Sequence, residues 1–161
     1  GIAGVTLVIL REDIIKSSHQ TLPPMLDYKI HIKKDSMFNT PPVFCVYIVN
    51  ETLKWINKLG GLESIESMNN TKAELLYNEI DENKLFRCPV SYEDRSNMNV
   101  VFTFSDQSKN DNDFLDFCSK RGLNTLKGHR SVGGFRASIY NAMPIQGVKE
   151  LTKAMREYSK K

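Results

Sequence analysis

The chain has 161 residues. A globule of that length hides roughly 70% of its unfolded surface, so a core forms without disulfide staples. Hydrophobic residues make up 40% and charged residues 25%, a balance that excludes a disordered chain. The net charge of +3, with a pI near 8.7 and no clustered basic face, argues against a nucleic-acid partner. No apolar run approaches the ~18 residues of a membrane span, and no basic N-terminal segment leads into one, so a soluble domain without a signal peptide is expected.

The run Val5-Thr-Leu-Val-Ile-Leu10 is short and β-branched, which predicts a buried strand. Residues 16–34 hold Pro23-Pro24 and little periodicity, an irregular connection with one short strand over 28–32. A helix is then predicted with Thr40 as N-cap and Pro41 in its first position. Its stripe is Phe44, Tyr47, Ile48, Ile56 and Leu59, and Gly60-Gly61 breaks it. A second helix carries Leu62, Ile65, Met68, Leu75, Leu76 and Ile80.

From Asn83 the pattern changes to short elements. Strands are predicted over 86–91 and 99–104, the latter with Val100, Phe102 and Phe104 on one face. A helix over 111–121 buries Phe114, Leu115, Phe117 and Cys118 and closes at Gly122. Strands over 123–127 and 135–140 flank a loop over 128–134. Pro144 begins a last helix with the stripe Ile145, Val148, Leu151, Met155 and Tyr158. The order β-β-α-β-β-α predicts an α+β unit, with helices covering an antiparallel sheet.

Cys45, Cys88 and Cys118 are odd in number and lack a CxxC pair, so three reduced, buried thiols in a reducing compartment are expected. The histidines His19, His31 and His129 show no metal-ligand spacing, and no metal is expected. No nucleophile–histidine–acid set assembles either. Glu63, Glu66, Glu74 and Glu79 fall on helix faces, where solvation is the default. Two places remain. Asn39 and Thr40 add side-chain donors to a helix start, which makes either a phosphate seat or a bare cap. Gly128-His129-Arg130-Ser131-Val132-Gly133-Gly134-Phe135-Arg136 packs two guanidiniums and an imidazole among three glycines. Arginine holds carboxylate or phosphate by a planar fork, so this is an anion site or a solvated basic turn.

Gly128-His-Arg-Ser-Val-Gly-Gly-Phe-Arg-Ala-Ser-Ile-Tyr-Asn-Ala142 resembles the C-terminal signature of the phosphoserine aminotransferase family, pyridoxal-phosphate enzymes of the class V, fold-type I group. Met37-Phe-Asn-Thr-Pro-Pro42 is similar to that family's phosphate cup. Lys54-Trp-Ile-Asn-Lys-Leu-Gly-Gly61, Leu75-Leu-Tyr-Asn-Glu-Ile-Asp81 and the opening Gly-Ile-Ala-Gly-Val-Thr fit as well. Ile2 and Phe38 depart from the family's usual proline and tyrosine.

The resemblance implies the C-terminal part of a PLP-transferase fold, α/β overall and α+β in its small domain. Residues 1–40 would end the large domain, 41–82 would be connecting helices, and 83–161 the small domain. It implies a cytoplasmic homodimer of serine biosynthesis that converts 3-phosphohydroxypyruvate and glutamate into phosphoserine and 2-oxoglutarate. Active sites would be shared between subunits. Asn39 and Thr40 would bind the phosphate of the partner subunit's pyridoxal phosphate. Arg136 would hold the substrate carboxylate, and His129 and Arg130 the substrate phosphate of the opposite site. The family's cofactor-anchoring lysine lies a few residues before the opening glycine, so this chain is expected to lack it, to carry no catalytic residue and to be inactive alone. Two other readings are another class V aminotransferase, without the His129–Arg130 pair, and a non-catalytic anion-binding or dimerisation module.

Overall fold

The computed structural model describes residues 2–17 and 21–161, so His19 lies outside the described residues. The chain divides into two compact units, Gly1–Lys58 and Leu59–Lys161.

The first unit is helical, with α1 (Glu12–Ser17), a 3-10 turn at Pro24–Leu26, α2 (Tyr28–Lys33) and α3 (Val43–Lys58). The strand expected over 5–10 is not formed, and Leu7 and Ile9 are each 87% exposed. An apolar run becomes a strand only beside a neighbour that completes its backbone ladder, and no described residue supplies one. The segment expected as a strand over 28–32 is instead α2. The Asp27 side chain accepts the Lys29 N–H at 2.9 Å and caps that helix. Helix α3 starts later than expected. Its first intrahelical bond runs from the Val46 N–H to the Pro42 carbonyl, so Pro42 rather than Thr40 is the N-cap residue. No described residue of this unit is fully buried; Phe44 and Tyr47 of α3 are 65% and 56% exposed.

The second unit contains the core. Gly60, at φ +100°, adopts the left-handed conformation that joins α3 to α4 (Gly61–Glu82). Strands β1 (Phe86–Arg87), β2 (Asn99–Phe104) and β3 (Phe135–Ser138) form an antiparallel sheet in that spatial order. The strand expected over 86–91 stops early, because Pro89 has no N–H to give a ladder. The strand expected over 123–127 reduces to a single bridge between Lys127 and Phe135. Helices α5 (Asp111–Ser119) and α6 (Ile145–Tyr158) complete the unit.

Strand β2 alternates strictly, with Val100, Phe102 and Phe104 buried and Asn99, Val101 and Thr103 half-buried on the other face. Its buried face meets Phe86, Phe114 and Phe135 in an aromatic cluster. Phe114 and Phe135 cross edge-on at 4.9 Å, and Phe86 stacks on Phe104 at 5.4 Å. Such pairs contribute about 0.5–1.5 kcal/mol each beyond the area they bury. Leu76 and Ile80 of α4 and Val148, Leu151 and Met155 of α6 share that core.

Two expectations about polar groups change. Glu79 is buried rather than solvated: it accepts from Asn83 Nδ2 at 3.0 Å and pairs with the Arg156 guanidinium. Only Cys118 is a buried thiol. Cys45 and Cys88 are half-buried, and all three are free.

Candidate functional site: a cation-rich loop and the strand that follows it

The loop over 128–134 is held shut by its own backbone. The Gly128 N–H donates to the Gly134 carbonyl at 2.8 Å, and the Val132 and Gly133 N–H groups donate to the His129 carbonyl at 2.9 and 2.8 Å. Glycine is obligatory where the two ends meet. A Cβ on Gly128 would lie 2.0 Å from the Gly133 oxygen, and one on Gly134 2.8 Å from the Phe102 oxygen. Outside the loop, the Gly134 N–H donates to Asp111 Oδ2 at 3.1 Å.

His129 and Arg130 are exposed on this loop, and no described residue pairs with the Arg130 guanidinium. The Ser131 N–H donates to His129 Nδ1 at 3.3 Å, and the Ser131 hydroxyl lies 2.7 Å from the same atom. A backbone amide only donates, so Nδ1 is the acceptor and the ring proton sits on Nε2. The imidazole thus turns a donor away from its own loop.

Arg136 follows on β3. It pairs across the sheet with Val101, opposite the aromatic core, and is half-buried. Its Nε is buried without a hydrogen-bond partner, and so is the Thr103 hydroxyl on the same face. An unsatisfied buried polar group costs about 1–3 kcal/mol, and more when it is charged. Arg95 also has an orphan Nε, but its two terminal nitrogens already clasp Asp81 at 2.6 and 2.8 Å. No described acidic group clasps Arg136, whose fork suits a carboxylate.

Below Arg136, Asn99 Oδ1 accepts from the Ser138 and Tyr140 hydroxyls, each at 3.2 Å. The Ser138 hydroxyl and the Arg136 charge draw the Tyr140 phenol below its ordinary value. Lys72, on α4, is buried and donates to the carbonyls of Ile139, Tyr140 and Met143, just beyond β3.

The other predicted pair, Asn39 and Thr40, lies in the first unit, immediately before α3. Both are exposed, and Asn39 Nδ2 donates to the Thr40 carbonyl at 3.2 Å. The N–H groups of Phe44 and Cys45 in the first turn of α3 have no intrahelical partner. These donors, with the positive end of the helix dipole, suit a phosphate. The structure therefore brings His129, Arg130 and Arg136 together on one loop-and-strand unit, with Asn39 and Thr40 at a separate helix start. Asp111, Thr103, Asn99 and Lys72 escaped the sequence reading, because nothing in their local spacing distinguishes them from ordinary helix and strand polar positions.

Residues 1–151 match the aminotransferase class-V family, and the chain belongs to that family. It is 51% identical over its whole length to a phosphoserine aminotransferase of Porphyromonas gingivalis, and it spans 45% of that relative. Among solved structures it resembles the phosphoserine aminotransferase of Bacillus circulans subsp. alkalophilus, with a TM-score of 0.86 and 41% identity, covering 94% of this chain and 42% of that one. A PLP-bound phosphoserine aminotransferase of Trichomonas vaginalis gives a TM-score of 0.84 at 42% identity, covering 91% of this chain and 42% of that one. The chain thus spans somewhat under half the length of these relatives. Its fold is that of the matching part of a PLP-transferase, α/β with a small antiparallel sheet.

Proposed function

We propose that this chain is the C-terminal portion of a phosphoserine aminotransferase. In the whole protein it would help move an amino group between glutamate and 3-phosphohydroxypyruvate in serine biosynthesis. The observation that carries this reading is the Arg136 guanidinium, whose Nε is buried and unpartnered on the strand that follows the loop with the exposed His129 and Arg130. Arg136 binds the carboxylate that every substrate of such an enzyme carries. His129, through its outward Nε2–H, and Arg130 bind the phosphate that only one substrate pair carries.

Pyridoxal phosphate, when bound, supplies the electron sink that lets an amine leave one carbon skeleton and join another. Asn39 and Thr40, with the first turn of α3, hold its phosphate from the neighbouring subunit of a homodimer. The anchoring lysine comes from outside these residues. In support, the buried Lys72 is committed to three backbone carbonyls. The free thiols agree with a cytoplasmic setting, and no helix of the described residues is long and apolar enough to cross a membrane.

The test is kcat/KM in the two half-reactions of the full-length protein. Arg136→Lys keeps the charge and loses the fork, so it lowers kcat/KM for phosphoserine and glutamate alike by roughly ten- to a hundredfold. Arg130→Ala lowers it for phosphoserine only. Two silent variants would mean a solvated basic turn and end this reading. A chain acting on unphosphorylated substrates would show no selective loss in Arg130→Ala.

A further inference from the structure

We infer that Asp111 is a positioning residue that sets specificity for the phosphorylated substrate, an inference that rests on the assignment of His129 and Arg130 to the substrate phosphate. An aspartate at a helix start ordinarily caps that helix. Here the cap is its neighbour: the Asn110 side chain accepts the Asn112 N–H at 3.1 Å. The Asp111 carboxylate is left for a different donor, the Gly134 N–H, at 3.1 Å and twenty-three residues away in sequence.

That bond sits at the one place where the loop needs it. Gly133 and Gly134 adopt φ +75° and +61°, conformations that glycine samples freely among many others. Gly134 closes the loop with its carbonyl, which accepts from Gly128, while its N–H is held by Asp111. Both main-chain groups of the closing residue are therefore engaged, one inside the loop and one on α5. Helix α5 is a firm anchor, because Phe114, Phe117 and Cys118 fix its inner face in the core. Without the clamp, the two glycines let the loop drift, and the His129 and Arg130 donors lose their fixed placement. Arg136 depends less on it, since the β2 ladder and a bond from its own N–H to the Leu126 carbonyl at 2.7 Å hold its backbone.

The role needs an acceptor and not a charge. Asp111→Asn keeps an oxygen at that position, whereas Asp111→Ala removes it. In the full-length holoenzyme, Asp111→Ala should raise KM for phosphoserine about tenfold while kcat and the glutamate half-reaction change by roughly threefold or less. Asp111→Asn should recover most of that loss. Inorganic phosphate, used as a competitive inhibitor, should weaken in parallel in Asp111→Ala. Amide hydrogen exchange over 128–134 should speed up in Asp111→Ala and not in Asp111→Asn.

Equal losses for phosphoserine and glutamate in Asp111→Ala would reduce Asp111 to a general structural residue and overturn the inference. So would an Asp111→Asn variant as poor as the alanine, or unchanged exchange over the loop. Arg130→Ala, measured alongside, separates the two levels. If it is selective for phosphoserine while Asp111→Ala is silent, the inference falls alone. If Arg130→Ala is not selective, the phosphate assignment falls and takes the inference with it.

Discussion

The Lys72 ammonium donates to the Tyr140 carbonyl at 2.7 Å, which ties the middle of α4 to the turn that follows β3. Two further carbonyls, of Ile139 and Met143, converge on the same nitrogen at 3.1 Å each. The Tyr140 carbonyl also accepts from the Met143 N–H at 2.9 Å, so the ammonium adds a second donor to this turn, and no described carboxylate takes part. Burial pushes the Lys72 pKa down from its ordinary value.

Replacing Lys72 by methionine keeps the stem and removes the donor. Hydrogen bonds to a charged group contribute about 1.5–3 kcal/mol, but three are lost while the cost of burying the charge is recovered. A net destabilisation of about 2–3 kcal/mol is expected, read as a lower urea midpoint at unchanged slope. A midpoint within error of the parent would mean that the three carbonyls find other partners.

Stability should fall from pH 9 upward, for a reason confined to the core. Burial raises the Cys118 thiol from 9.0 to about 11 and the Tyr77 phenol from 10.0 to about 12. Both groups are neutral in the fold over a range where the unfolded chain has already released the proton. The folded state then binds more protons, so stability drops with rising pH, first between 9 and 11 and then between 10 and 12. Each two-unit gap corresponds to about 2–3 kcal/mol. Lys72 acts in the opposite sense below its unfolded value of 10.5 and blunts the fall. Urea titrations at stepped pH test this, and Cys118→Ala should delay the onset. An onset unmoved by that substitution would assign the loss to other groups.

Gly128→Ala tests the loop closure directly. The new Cβ would fall 2.0 Å from the Gly133 oxygen and 2.8 Å from the Gly134 oxygen, both rigid backbone. The loop must open to admit it, so phosphoserine KM in the full-length protein should rise by at least the tenfold or so expected for losing the clamp. Gly61→Ala is a suitable contrast, because its Cβ meets nothing within 4 Å, although its φ of +80° still carries strain. That variant should lower stability without touching substrate preference. A Gly128→Ala enzyme with parental KM would show that the loop does not need its closed form.

What could be read in the sequence was whatever local chemistry determines. The Gly60-Gly61 joint, the alternation of β2, the stripe of α6 and the cation-rich loop were all visible, because each depends on neighbours a few residues away. The run over 5–10 has strand composition but finds no strand partner among the described residues, and partnership is a non-local property. The segment over 28–32 alternates like a strand, yet Asp27 and the local turn make it helical. Lys72 and Glu79 looked like ordinary charges on a helix, since their partners lie 67 and 77 residues away. Asp111 read only as the first residue of a helix, since its partner Gly134 lies 23 residues away.

Strand β2 serves two masters on alternate residues. Phe102 and Phe104 fill the core, while Val101 and Thr103 line the face that carries Arg136. A slip of one residue in this short strand would exchange the two faces at a stroke. Insertions within 99–104 are thus closed to evolution and to the engineer alike, since no single-residue change in register spares one role at the expense of the other. Variation in substrate preference has to come from the loops at the ends of the strands, where length is free to change and pairing is not.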